Sequence, residues 1–557
     1  MKRICADLVL LNGKVRSMDS RDRIFEAVAT KNGKIVAATS RKRIAKFIGK
    51  RTRIIDLAGR TVSPGLIDTH SHLAVAGIYM TSTIDFREPE AVSIEDIVER
   101  IRKKVAESDN AKGIVGHHWD ETRLKEKRYV TRWDLDPVSP ENPVVLLHES
   151  GNAVVANSCA LKLAGVDATT RDPEGLILKN ENGEPTGFLR ENASNLVLNK
   201  IPLTVQQIEA GIRLVQEHYV KEGITTNKDP DGLFGKAKYP PMIEAYRNLH
   251  AKGQLKIRSY LLCEVDTIED VDRVYAEARA RSDGMLKVGG IKLLIDGFMR
   301  ESTAWMYEDF NVNYHQVNTG NKGHPVIDLD TFRKLVFRAH RRGLQVGIHA
   351  VGDRAIDTVL DVIEDSIRKK PRRDHRHSII HCTIPTQQAL RRIKKSGMVV
   401  EVQPSFVLYF LGDVFAGCLG PKRSKRILPM RSYVKMGITI GNGSDYDFVD
   451  PYPLAPRFGL YATCARRPKI ELFGSKPFGT RERLSISEAL RTYTSWAAKC
   501  LFWEDKIGSI EPGKYADLVV WSDDPYSVPC EKLKDLKVYM TIVGGTIVYE
   551  AENANER

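Results

Sequence analysis

Val62-Ser63-Pro64-Gly65-Leu66-Ile67-Asp68-Thr69-His70-Ser71-His72 is a short apolar run that ends in two histidines one residue apart. Read as a strand it alternates its faces, so Asp68, His70 and His72 point to one side. Two imidazoles leaving a strand end together form half of a divalent-metal site. An isolated pair of this kind also occurs as a surface accident, so the remainder of the chain has to decide.

Further ligand-type residues recur at strand ends. Lys292 lies in Gly289-Gly290-Ile291-Lys292-Leu293-Leu294-Ile295-Asp296-Gly297, His349 closes Val346-Gly347-Ile348-His349, and His381 closes Ser378-Ile379-Ile380-His381. Asp445 follows Ile438-Thr439-Ile440-Gly441-Asn442-Gly443-Ser444. Four imidazoles and a carboxylate suit zinc or a neighbouring first-row metal. Each alone has a plainer reading: a hydrogen-bonded core histidine, or an aspartate in a turn. Their ordered recurrence points to one site. His375 and His377 flank a basic turn and read as structural or solvated, and Asp353 as a residue that caps or orients the helix after His349.

From residue 204 onward an amphipathic helix repeatedly ends at a glycine with an apolar strand directly after it. The glycines are Gly223, Gly343, Gly397 and Gly437. Glycine suits the left-handed residue that stops a helix. Repeated units of this kind imply parallel strands with crossover helices. Functional residues at the C-terminal ends of several strands favour a TIM-like (β/α)8 barrel over a doubly wound sheet.

Both chain ends read as short strands. Asn12-Gly13 and Asn32-Gly33 are hairpin signals, and apolar runs at 514–521 and 538–549 mirror them. A small β-sandwich built from residues 1–62 and 505–557 is expected, with the first barrel strand at 63–73. The remaining barrel is expected at 204–504, and a large α/β insertion between, at 74–203. The insertion carries a capping box from Ser93 to Asp96.

Composition narrows the class. Of 557 residues, 42% are apolar and 28% charged, as in ordinary globular proteins. No apolar stretch is long enough to span a membrane, and Asp7 and Lys14 interrupt the N-terminal apolar run before a signal-peptide core forms. The eight cysteines include no C-x-x-C pair, which fits a reducing cytoplasm. A net charge of +14 raises nucleic-acid binding, but the basic stretches lie far apart without aromatic platforms and read as solvated surface.

Together these motifs resemble the amidohydrolase superfamily, in the branch of N-substituted formamide deformylases (the YtcJ-like group). The resemblance rests on residues 64–72, Lys292 with Asp296-Gly297, His349-Ala350-Val351-Gly352-Asp353-Arg354-Ala355, and Arg376-His377-Ser378-Ile379-Ile380-His381. It rests further on Gln403-Pro404, Gly443-Ser444-Asp445 and the closing segment 508–518. It implies a metal-dependent hydrolase of a small amide-type C–N bond, such as an N-substituted formamide or N-acyl amine. The alternatives are a deaminase, a lactone or ester hydrolase, or a metal-free scaffold. A deaminase would be favoured by a glutamate shortly after His349, and residues 350–356 contain none.

By the same resemblance, His70, His72 and Asp445 hold one divalent metal, His349 and His381 hold a second, and Lys292 bridges them as a carbamate. Zinc is expected, with manganese, iron, cobalt or nickel as substitutes. An ammonium beside two cations is strongly repelled, whereas a carbamate is an anionic ligand. Asp445 is both ligand and general base toward a metal-activated water. Trp119, His148, Asn152, Lys228 and Gln403 are expected near the substrate, with Trp305 and Phe406 as further aromatic walls. Relatives carry histidine where this chain has Asn152 and Lys228, and Lys228 competes with Lys292 as the bridging residue. The expected partner is a small-molecule amide, with no nucleic acid and no membrane; a homo-oligomer is left open.

Overall fold

The computed structural model describes residues 4–87, 90–107, 113–149, 153–172, 175–191, 193–201, 203–230, 239–279, 283–300, 302–311, 320–446, 454–470 and 479–552. In it the apolar run before the two histidines is two strands in two different sheets. Thr61–Pro64 pairs antiparallel with Leu518–Trp521, while Leu66–Asp68 pairs parallel with Ile224–Asp229. Gly65 is the break between them. A Cβ there would stand 2.2 Å from Thr225 Oγ1, so only glycine lets the chain pass from one sheet to the other. Ser63 and Pro64, expected at the start of the barrel, therefore belong to the sandwich.

Eight parallel strands follow one another in sequence order around the barrel: β1 (Leu66–Asp68), β2 (Ile224–Asp229), β3 (Arg258–Glu264), β4 (Leu286–Leu294), β5 (Gln345–Ala350), β6 (Ser378–His381), β7 (Val399–Val402) and β8 (Ile440–Asn442). Just beyond β1, Thr69 N donates to Asn442 O at 3.1 Å and draws the first and last strands together. The glycines that end the helices before β2, β5, β7 and β8 have φ of 81°, 84°, 77° and 68°, the left-handed geometry expected of them.

The sandwich has a four-stranded sheet (Lys34–Thr39, Ala27–Lys31, Leu8–Leu11, Arg53–Asp56). Against it stands a six-stranded sheet (Thr546–Glu550, Val538–Val543, Leu518–Trp521, Thr61–Pro64, Lys14–Arg16, Ile24–Phe25). Its core joins Leu8, Leu10, Val28 and Val62 to Leu518, Val520, Met540 and Ile542, so neither chain end can bury its apolar face without the other. Asn32-Gly33 turns the expected hairpin, with φ of 49° and 75°. Asn12-Gly13 does not, because Leu8–Leu11 and Lys14–Arg16 enter different sheets.

Contacts divide the chain into Met1–Leu73, Gln216–Asp231 and Leu249–Arg557 on the one hand, and Ala74–Val215 with Gly232–Asn248 on the other. The second unit thus takes in more than the expected 74–203 insertion. It holds a six-stranded sheet in the order Gly175–Lys179, Pro185–Glu191, Ala153–Ala156, Val144–His148, Ile114–Trp119, Thr83–Asp85, the last three parallel. Its helix Ile94–Ala106 starts at Ser93, whose hydroxyl accepts from Asp96 N, and buries Ile94, Ile97, Val98 and Ile101.

Candidate metal centre

Strand β1 ends at Asp68, two residues short of the first histidine, so simple alternation along a strand does not orient the pair. The orientation comes from the turn beyond it. Asp68 Oδ1 accepts from His70 N at 3.1 Å and from Ser444 N at 3.0 Å, and Oδ2 accepts from the Ser444 hydroxyl at 2.6 Å. Asp68 thereby fastens the segment after β8 to the segment after β1. Burial pushes its pKa up to about 7, against the pull of those donors. Asp445 N donates to His70 O at 2.8 Å, and His72 N to Tyr446 O at 2.9 Å.

These bonds bring the imidazoles to the Asp445 carboxylate. Oδ1 stands 3.1 Å from His70 Nε2 and 3.2 Å from His72 Nε2, and Oδ2 stands 3.8 Å from His381 Nδ1. His381 and Asp445 both have left-handed backbones, with φ of 69° and 60°, a conformation that costs non-glycine residues energy and clusters at functional sites. Burial would raise the Asp445 pKa, but the adjacent His381, His70 and His72 carry it well below the usual carboxylate range. Burial lowers His70 and His349 well below an ordinary histidine and takes His381 to about 4; the Lys292 charge pushes all three the same way. The site pairs an ionised carboxylate with neutral imidazoles, the protonation state that metal binding needs.

The outer contacts fix which ring nitrogen carries the proton. His381 Nδ1 lies 2.8 Å from Gln403 Oε1, an acceptor, which leaves Nε2 with its lone pair. His349 Nε2 lies 3.0 Å from the Gly297 carbonyl, which leaves Nδ1. The rings of His349 and His381 are 4.4 Å apart. His70 Nδ1 is buried with no hydrogen-bond partner among the described residues. Unsatisfied imidazole nitrogens around a carboxylate suit a bound cation.

Lys292, on β4 in register with Glu264 and Gly347, is only 4% exposed. Lys228 is fully buried on β2, and its Nζ donates to Glu401 Oε1 at 2.6 Å. That pairing commits Lys228 to Glu401 on β7. Asp296 accepts from the backbone N–H groups of Val351, Gly352 and Trp305 at 2.8 to 3.0 Å, and so fastens the turn after His349 to the segment after β4.

Of the residues expected near substrate, Gln403 touches the centre through His381, and Asn152 lies outside the described residues. Trp119 and His148 belong to the second unit. Trp119 is buried in that unit's core, and its indole N–H points at Leu146 O at 3.4 Å; His148 Nε2 lies 2.7 Å from Glu121 Oε2. Trp119 is core there, as large aromatics commonly are.

Sequence reasoning put Asp68 on the side of the two histidines without a role, and it missed Glu401 and the grouping of Asp85 with His117 and His118 in the second unit. Glu401 is the one acid in Val399-Val400-Glu401-Val402, and an acid inside an apolar strand was a readable signal. In the second unit Asp85, His117 and His118 gather where parallel strands end. His118 sits at a bulge with φ of 63°, and its Nδ1 is 2.5 Å from His117 Nδ1 and 3.4 Å from Asp85 Oδ1. Arg87 already grips both Asp85 oxygens, which opposes a cation there.

Residues 53–549 match the amidohydrolase family. The YtcJ protein of Bacillus subtilis (strain 168) is 29% identical over 531 residues, covering 94% of this chain and 96% of its own. The N-substituted formamide deformylase of Arthrobacter pascens is 27% identical over 561 residues, 98% of each chain. A solved structure of an uncharacterized metal-dependent hydrolase from Pyrococcus furiosus superposes with a TM-score of 0.74 at 25% identity, covering 93% of this chain and 100% of that one.

Proposed function

Because the chain belongs to the amidohydrolase family, we propose that it hydrolyses a small non-peptide amide-type C–N bond, with N-substituted formamides and N-acyl amines as the first candidates. The observation that carries the proposal is the Asp445 carboxylate, facing His70, His72 and His381 at 3.1 to 3.8 Å. Similarity to the formamide deformylase along 98% of both chains supports the substrate class.

His70, His72 and Asp445 would hold one divalent metal and His349 with His381 a second, with Lys292 as a carbamate between them; zinc is the first choice. Metal bound there supplies Lewis acidity toward a carbonyl oxygen and toward water. The chain's own groups do the rest. Asp445 Oδ1 is engaged by His70 and His72, so Oδ2 is the oxygen that takes the proton of the attacking water and returns it to the leaving nitrogen. Gln403 and the Gly297 carbonyl keep His381 and His349 in fixed tautomers.

The test is metal analysis of purified protein together with hydrolysis assays on formamides, N-acyl amines and cyclic amides. About two metal equivalents and chelator-sensitive turnover of one of these classes are expected. Metal-free protein with no turnover after reconstitution would put the silent-scaffold reading ahead.

A further inference from the structure

At the opposite end of the barrel from Asp445 lies a cavity of about 300 Å³. It opens where β4 and β5 begin: Lys287 is the second residue of β4, and Gln345 the first of β5. Lys287 stands five residues before Lys292, roughly 16 Å along the strand. Four cations line the cavity, Arg279, Lys287, Arg342 and Arg372, with the rings of Tyr260, Tyr275 and Phe502 between them.

The acids nearby are already taken. Asp272 binds Arg338 and Arg342, and Asp374 binds Arg376, which Glu504 also holds. Among the described residues no carboxylate pairs with Lys287, Arg279 or Arg372. Arg372 spends its donors on the carbonyls of His340, Gly343 and Leu344. Among the described residues, the Lys287 ammonium meets aromatic faces, with Nζ 5.2 Å from the Tyr260 ring and 5.6 Å from Phe502. Burial, with Lys506 and Arg376 close by, lowers the Lys287 pKa, and burial lowers that of Arg372. A half-buried ammonium facing other cations and no acid is destabilised unless an anion joins it.

We propose that this cavity binds a small organic anion that carries an aromatic ring, its phosphate or carboxylate on Lys287 and its ring against Phe502 and Tyr275. Its volume is at the lower end for small-molecule sites, and aromatic walls are part of their usual lining, with the cations here left to fix an anionic group. None of the candidate metal ligands borders it, so the ligand is an effector or stabiliser and not the substrate. The inference is independent of the hydrolase reading.

The test is calorimetric titration of the full chain with phenyl phosphate, benzoate, inorganic phosphate and benzyl alcohol, repeated on Lys287→Met and Lys287→Arg. Saturable binding of phenyl phosphate or benzoate is expected, and which of the two binds tighter names the anionic group. Lys287→Met should weaken it about tenfold or more, the worth of one charge-assisted hydrogen bond, and Lys287→Arg should retain it. Inorganic phosphate and benzyl alcohol should both bind more weakly. Equal binding by the Met and Arg variants, no binding of either aromatic anion, or inorganic phosphate matching phenyl phosphate would overturn the proposal.

Discussion

Lys228 Nζ and Glu401 Oε1 meet at 2.6 Å inside the barrel, both side chains wholly out of solvent and 173 residues apart in sequence. Burial raises the Glu401 pKa, and the Lys228 ammonium opposes that rise. A buried pair adds little over an apolar pair, but breaking it strands a charge. Lys228→Met alone should therefore lower stability by about 3–5 kcal/mol, while Lys228→Met with Glu401→Leu recovers most of the loss. Urea midpoints of the single and double variants decide this. A single variant as stable as the parent would refute the pairing.

Asp445→Asn keeps the shape of the side chain but removes the charge that the three imidazoles face. Bound metal should fall, and turnover should drop about a thousandfold, the range of a lost general base. Elemental analysis and single-substrate kinetics on the same sample check both. Unchanged metal content with unchanged rate would remove Asp445 from the centre.

A second set of histidines sits at the foot of the barrel. Val346 N donates to His377 Nδ1, so His377 Nε2 donates to His340 Nδ1 at 2.8 Å, and His340 Nε2 to Lys370 O. His377 N donates to His375 Nδ1, and His375 Nε2 to Ser396 O. Each ring gives one bond and takes one, which only the neutral form can do. Burial lowers all three pKa values. Protons then bind the unfolded chain more readily than the folded one, so this stability is complete above about pH 6.5 and drains away as pH falls below it. Denaturation midpoints across pH 5 to 8 should show that slope, and it should flatten in His375→Asn/His377→Asn.

Gly65→Ala is expected to cost about 1–3 kcal/mol, because the new methyl group meets Thr225 at 2.2 Å, well inside contact distance. Thermal melting of the variant reads the loss. Melting at the parental temperature would mean the two sheets can slide apart at no cost.

Much of the barrel was legible because helix-ending glycines and apolar strands are local signals, and Gly343 and Gly397 behave as the pattern requires. The convergence of His70, His72 and His381 on Asp445 was foreshadowed by their places at strand ends. What escaped was settled by distant partners. Asn12-Gly13 carries the same turn chemistry as Asn32-Gly33, yet its flanking strands are claimed by different sheets. Of the two readings of His375 and His377, structural or solvated, the structural one holds: both are buried and bonded to His340, Val346 and Ser396. The Asp68–Ser444 contact joins residues 376 apart, which no local pattern announces.

The strand Thr61–Pro64 rests on Leu518–Trp521, and Gly65 N donates to Asp517 O at 2.8 Å, directly before the turn that bears His70. During synthesis the two leading imidazoles leave the ribosome long before either that supporting strand or Asp445 exists. The pocket is thus completed only once Leu518–Trp521 has been made, and any cation loading would follow that step. A product cut short before residue 518 would keep every proposed ligand and still lack the seat that aims the first two.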